Sequence, residues 1–177
     1  MILKDIESKR IMHVDTSIKF YQLGNTGIAS KIVGSGQHKG VVISNKLKRE
    51  LDRDLTAGHD YARLYAICIY YLIKDNLMDF DVLVICNDEN FIYVKLYLDL
   101  LFDESQLYKS KYITNISELR AITGNKKLRS FANNTSNIYR RKGLKNLQRQ
   151  QKGVPINVIR VTYQEIKDKW EEINKKK

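Results

Sequence analysis

Three apolar runs joined by two short glycine-bearing turns fill residues 10–44, and that pattern constrains the fold more than any other stretch of the chain. The runs are a first strand from about Arg10 to Leu23, then IASKIV, then VVIS. The joints are Gly24-Asn25-Thr26-Gly27 and Gly34-Ser35-Gly36-Gln37-His38-Lys39-Gly40. Joints this short place consecutive strands antiparallel, because a parallel return needs a crossover of a dozen residues or more. A meander of three strands is therefore expected at the start of the chain.

The texture then changes. KLKRELDRDL (46–55) is charged and reads as a helical turn or a loop. Thr56-Ala57-Gly58-His59-Asp60 opens YARLYAICIYYLIKDNL, which is apolar nearly all round and too long for a strand. It predicts a mostly buried helix of about 18 residues. VLVIC is a short continuous apolar run, the pattern of a central strand covered on both faces, and NDENFIYVKLYLDLLF reads as a helix starting at Asn87 or Asp88. Asn115-Ile-Ser-Glu118 resembles a capping box and predicts a short helix from Ser117 to Thr123. LRSFANNTSNIYRRKGLKNLQRQQ is compatible with a helix or an extended basic loop, ended by Gly153 and Pro155. INVIRV is a fifth strand and TYQEIKDKWEEI a C-terminal helix. The order is β-β-β-α-β-α, a basic insertion over about 104–153, then β-α. It describes a single α/β domain over 1–177 with a mixed five-stranded sheet and helices on both faces.

The net charge of +11 is confined to one third of the chain. Residues 109–152 hold twelve Lys and Arg against one acid, Glu118, whereas the rest balances at 19 bases and 19 acids. A localised basic segment is the electrostatic footprint of a phosphate-backbone binder. The expected partner is nucleic acid, contacted through Lys126, Lys127, Arg129, Arg140, Arg141, Lys142, Lys145 and Arg149; an anionic membrane surface or an acidic protein is the lesser alternative. Tyr108, Tyr112, Phe131 and Tyr139 lie among these bases and offer rings on which exposed bases could stack, although packing is the commoner use of such rings. No run reaches the ~18 apolar residues of a membrane span. MILKDIESKR has no apolar stretch of the kind a secretory signal carries, so a cytoplasmic location is expected.

Cys68 and Cys86 lie in apolar runs and read as buried small hydrophobes; with His13, His38 and His59 they form no zinc-ligand spacing. Carboxylates are more informative. Asp15 sits in the middle of IMHVDTSIKF, where a lone acid among Ile, Met and Val is costly unless something neutralises it. Asp60 opens the first long helix, Asp88 ends strand four, and Asp168 lies early in the last helix. Four acids on separate rigid elements suit a two-metal phosphodiester site, with ions about 3.5–4 Å apart. Hard Mg²⁺ or Mn²⁺ matches an oxygen-only ligand set. Ordinary explanations exist for three of them. Asp60 and Asp88 sit where helix caps are expected, Asp168 could be plain surface, and Thr162-Tyr-Gln-Glu165 is itself a capping box.

At this point the chain resembles the ribonuclease H-like superfamily of ribonucleases H, Holliday-junction resolvases and integrases. IMHVDTS is similar to its first strand, NTGIASKIV to its second, and VLVICNDENFI to its fourth with the acid at Asp88. Tyr139-Arg140-Arg141-Lys142-Gly143-Leu144-Lys145-Asn146 resembles the basic handle of its longer members. The resemblance implies a ribonuclease H-like fold and a metal-dependent endonuclease. Its two Mg²⁺ or Mn²⁺ ions would be held by Asp15, Asp60, Asp88 and Asp168, with Glu50 and Glu165 in reserve, and the substrate would be an RNA/DNA hybrid or structured DNA. A junction resolvase of this kind would be expected to dimerise. The chain departs from the family where Arg63-Leu64-Tyr65-Ala66 puts arginine at an acid's usual place, and where no histidine lies beyond His59. Arg63 favours the rival expectation, a non-catalytic nucleic-acid-binding protein on the same scaffold.

Overall fold

The computed structural model of the protein describes residues 8–55, 60–149 and 157–177, with 144–149 given by their backbone alone. The expected meander is present: β1 (Ile11–Thr16), β2 (Thr26–Ile32) and β3 (His38–Ile43) pair antiparallel in sequence. The glycines of its turns do the work their lack of a side chain permits, Gly24 and Gly34 both adopting positive φ.

The charged stretch after β3 is a helix, α1 (Asn45–Asp54), started by Ser44, whose hydroxyl accepts from the Leu47 N–H. The long apolar run forms α2 (Tyr61–Ile73), shorter than its hydrophobicity suggested because the chain leaves the helix after Lys74. Next come β4 (Val82–Ile85), α3 (Phe91–Leu101) and the single turn α4 (Gln106–Lys109). They lead into β5 (Tyr112–Asn115), α5 (Ile116–Thr123), α6 (Asn133–Arg149), β6 (Val158–Ile159) and α7 (Tyr163–Lys176). The architecture is α/β: an open mixed sheet in the order β5-β4-β1-β2-β3-β6, with β4 parallel to β1 and β5 parallel to β4.

Two expectations need correction. The sheet has six strands rather than five, and the strand beyond β4 is Tyr112–Asn115 instead of INVIRV. INVIRV does contain a strand, β6, but it pairs parallel with β3 at the opposite edge through Gly40 and Val41. The described part of the segment expected as an insertion over about 104–153 is built into the sheet. It supplies an edge strand and two helices that cover one face of the sheet.

Strand alternation divides the core. Met12, Val14, Ile28, Val41, Leu83 and Ile85 face α2, α3 and α7 in the larger cluster. On the other face Val82 and Val84 meet Ile116 and Leu119 of α5, while Ala29 and Val42 meet Tyr139 of α6. α6 lies close because glycines clear its path. A Cβ at Gly27 would strike its backbone at Ser136 and Arg140, one at Gly40 the Tyr139 ring, and one at Gly143 the side chain of Val42. Tyr139 is fully buried, and its hydroxyl bonds His38 Nδ1 at 2.9 Å.

Candidate functional site

Asp15 is the second-last residue of β1, and its alternation puts it on the α5–α6 face with His13. β4 runs parallel beside β1, so the chain leaving β4 emerges next to Asp15. That chain is Cys86-Asn87-Asp88-Glu89-Asn90. Four of these five residues are polar and three could cap the helix that follows, but Asn90 takes the role: its Oδ1 accepts from the Ile92 N–H. Asp88 is thereby left free of helix capping and turns to β1. There the Thr16 hydroxyl donates to Asp88 Oδ2 at 2.7 Å, and the Thr16 N–H donates to Asp15 Oδ1 at 2.8 Å.

Asp15, Asp88 and Cys86 offer ligand atoms all within 4.8 Å of one another, the one such group of His, Cys, Asp and Glu among the described residues. Asp15 is 6% exposed. Burial first, and then the Asp88 charge, push its carboxyl up to about 7. The two carboxyls face each other at close range, and their repulsion favours a proton on Asp15. The Cys86 thiol and the Ser130 hydroxyl lie near enough to Asp15 to oppose that rise. Burial pushes the Cys86 thiol far above its ordinary range, so it stays a thiol and not a thiolate.

Two neighbours add to the tension. Glu89 is raised to about 7, mainly by burial and also by Asp88, with Lys19 opposing; its Oε1 is buried without a partner. Tyr65 of α2 is 0% exposed, and its hydroxyl has no hydrogen-bond partner. Burial holds that hydroxyl well above its ordinary pKa, reinforced by Cys86, Asp88, Asp15 and Glu89. A buried hydroxyl and a buried carboxylate oxygen without partners are the exception in a folded chain, and both lie in the electrostatic reach of Asp88.

The structure brings together two of the four expected acids. Asp60 caps α2, its Oδ1 accepting from the Arg63 N–H at 3.2 Å. Its Oδ2 meets Arg63 Nη2 at 3.0 Å and accepts from the Tyr97 hydroxyl at 2.7 Å. Arg63 is itself held over the Trp170 ring at 4.3 Å and by Asn174 at 2.7 Å. The arginine in the acid's place therefore neutralises the nearest substitute. Asp168 is exposed on α7, accepting from Gln164 Nε2. Glu165 closes the capping box with Thr162, and Glu50 lies on α1 near Arg53 and Tyr163. Arg63→Met should lower stability by about 1–2 kcal/mol, because it strips the partner from a part-buried carboxylate. A thermal melt beside Asp60→Asn/Arg63→Met, which should recover part of the loss, checks this.

The basic residues divide too. Tyr139 of the supposed handle is core, and Arg140 is half-buried against Asn137. Arg141 and Lys142 are exposed on α6. The side chains of Lys145 and Arg149 lie outside the described residues. Lys126, Lys127 and Arg129 are exposed on the α5–α6 loop, the same loop that delivers Ser130 to Asp15. Sequence reasoning missed Ser130, Glu89 and Tyr65. Only Glu89 carried a signal, by following Asp88 directly.

No family model, curated protein or solved structure matches this chain. Among the described residues no helix is long and apolar enough to cross a membrane.

Proposed function

We propose that the protein is a divalent-metal-dependent hydrolase of nucleic-acid phosphodiester bonds, a ribonuclease H-like nuclease working from Asp15 and Asp88. The observation that carries this reading is the meeting of those two carboxyls at the carboxyl ends of adjacent parallel strands, where open α/β sheets hold their ligands. The meander followed by helix-linked strands parallel to β1 agrees with the architecture the resemblance implies. The sixth strand and the core position of Tyr139 are departures from it.

The donors suit a hard dication. The Asp15 and Asp88 carboxyls supply hard oxygen donors, and the Cys86 sulfur beside them is a protonated thiol, a poor ligand. The oxygens that meet support one ion; a two-ion arrangement would need Asp60 and Asp168, which are engaged elsewhere. A cation here would supply Lewis-acid polarisation of the phosphodiester and acidification of a water. The chain's own groups do the rest. Thr16 fixes both carboxylates through its N–H and hydroxyl, and Ser130 and Cys86 stand beside Asp15 and favour its charged form. The cations of the α5–α6 loop attract the backbone toward a centre that would otherwise repel it.

The test is a cleavage assay in Mg²⁺ and in Mn²⁺ on RNA/DNA hybrid, duplex, single strands and a four-way junction. Wild type should cut at least one of these, and Asp15→Asn and Asp88→Asn should each lose at least about a hundredfold in rate, the scale of losing one essential charged group. Cleavage persisting in both variants sinks the site. The Asp60–Arg63 pair favours a second reading, a nucleic-acid-binding protein without catalysis. Wild type that binds these substrates and cuts none of them would establish it.

A further inference from the structure

Four aromatics lie among the basic residues, and the structure separates them. Tyr108 is 3% exposed and Tyr139 0%, both spent on the core, and Tyr112 is half-buried on β5. Phe131 is 50% exposed. It follows Ser130, which lies near Asp15, and it stands within five residues of Lys126, Lys127 and Arg129. One edge rests on the His13 ring, 5.2 Å between centroids at 72°. His13 is two positions before Asp15 on the same face of β1, a step of about 6.6 Å along a strand. A lone exposed apolar residue needs no explanation by itself. This one is braced from below by a buried ring, flanked by three exposed cations, and seated by that ring on the strand that carries Asp15.

We propose that Phe131 is a stacking platform for an unpaired base, and that the substrate of the Asp15–Asp88 site is a single-stranded stretch of nucleic acid. The inference rests on the hydrolase reading above and narrows it. In a duplex both faces of each base are covered by its neighbours, so a fixed side-chain ring can be stacked upon only where the strand is unpaired. Lys126, Lys127 and Arg129 hold the phosphates on either side without reading sequence. A base seated on Phe131 then sets an adjacent phosphodiester over the two carboxyls, and hybrid or duplex is cut only where it opens.

The ring also covers His13, so the variants must separate cover from stacking. Phe131→Leu keeps an apolar cover and loses the π-face; Phe131→Trp keeps both. In an Asp15→Asn background, which prevents cleavage, dissociation constants are measured by fluorescence anisotropy in Mg²⁺. The probes are a 20-nucleotide oligothymidylate, the matching oligouridylate, an abasic strand of equal phosphate number and a 20-base-pair duplex. Phe131→Leu should weaken binding to the two base-bearing strands by about five- to a hundredfold. It should leave the abasic strand and duplex within about twofold, and Phe131→Trp should restore wild-type affinity. Equal loss on all four probes, or no loss on any, overturns the proposal. Lys126→Ala/Lys127→Ala/Arg129→Ala is the companion. If it weakens every probe while Phe131→Leu changes none, stacking fails and nucleic-acid binding stands. If the parent binds none of the four probes, stacking falls together with the nucleic-acid reading.

Discussion

Asp15→Asn should unfold about 5 °C above the wild-type chain at pH 8 without divalent cations, and that advantage should vanish below about pH 4. Burial and Asp88 raise the Asp15 carboxyl from its ordinary 3.8 to about 7 in the folded chain. A folded pKa above the unfolded one means that the native state binds the extra proton between those values. Wild-type stability is therefore fully present below about pH 4 and is lost progressively as pH rises through about 7. An asparagine has no charge to desolvate and can still accept the Thr16 N–H. A gap of about three pH units corresponds to about 4 kcal/mol at most, and partial exposure of the pair lowers the expectation to about 2 kcal/mol, or 4–8 °C for a chain of this size. Mg²⁺ should reverse the ranking. An ion at a hundred times its dissociation constant adds about 2.7 kcal/mol to the wild type and little to the variant. Differential scanning fluorimetry across pH 4–9, with and without 10 mM Mg²⁺, reads both effects. Asp15→Asn melting below wild type at pH 8 would mean that the carboxylate is satisfied by the protein itself, and the case for a cation there would collapse.

Gly27→Ala should cost about 3 kcal/mol or more. The added methyl would meet Ser136 O and Arg140 N of α6, which are backbone atoms of a packed helix with no rotamer to change. Overpacking of this kind costs about 1–3 kcal/mol where side chains can move and more where they cannot. Gly36→Ala is the control, since nothing lies within 4 Å of its Cβ position, and it should stay within about 0.5 kcal/mol of wild type. Denaturant melts of the two variants give the comparison. A Gly27→Ala chain as stable as Gly36→Ala would show that α6 does not sit where the structure has it.

What was legible in the sequence follows from how local its causes are. The meander could be read because Gly24 and Gly34 fix turns between residues a few positions apart. Asp15 was visible as an acid with nothing local to do. β5 was not, because YITN is four residues in a basic stretch and becomes a strand only through its register with β4 across some thirty positions. INVIRV was readable as a strand, but its partner is a tertiary choice, and it joined β3. Asn87-Asp88-Glu89-Asn90 offers several caps in a row; Thr16, seventy positions away, decides which acid is left for the site. Asp60 was placed correctly as a helix opener, and Arg63 was noticed as foreign to the pattern. That Arg63 neutralises Asp60 depends on Trp170 and Asn174 from the far end of the chain.

The loop from Gly124 to Ala132 is fastened along its length. Gly124 ends α5 at φ 67, Arg120 Nε donates to Leu128 O at 2.8 Å, and Leu128 packs with Ile116 and Leu119. The Ala132 N–H donates to Ser130 Oγ, and the glycine-cleared α6 begins at Asn133. A surface loop so anchored has already lost most of the conformational freedom that a floppy basic arm surrenders on meeting its ligand. Association through it should carry only a small ordering entropy, leaving counterion release to dominate the thermodynamics. Calorimetry would then show an affinity that varies steeply with salt and an enthalpy that hardly varies at all.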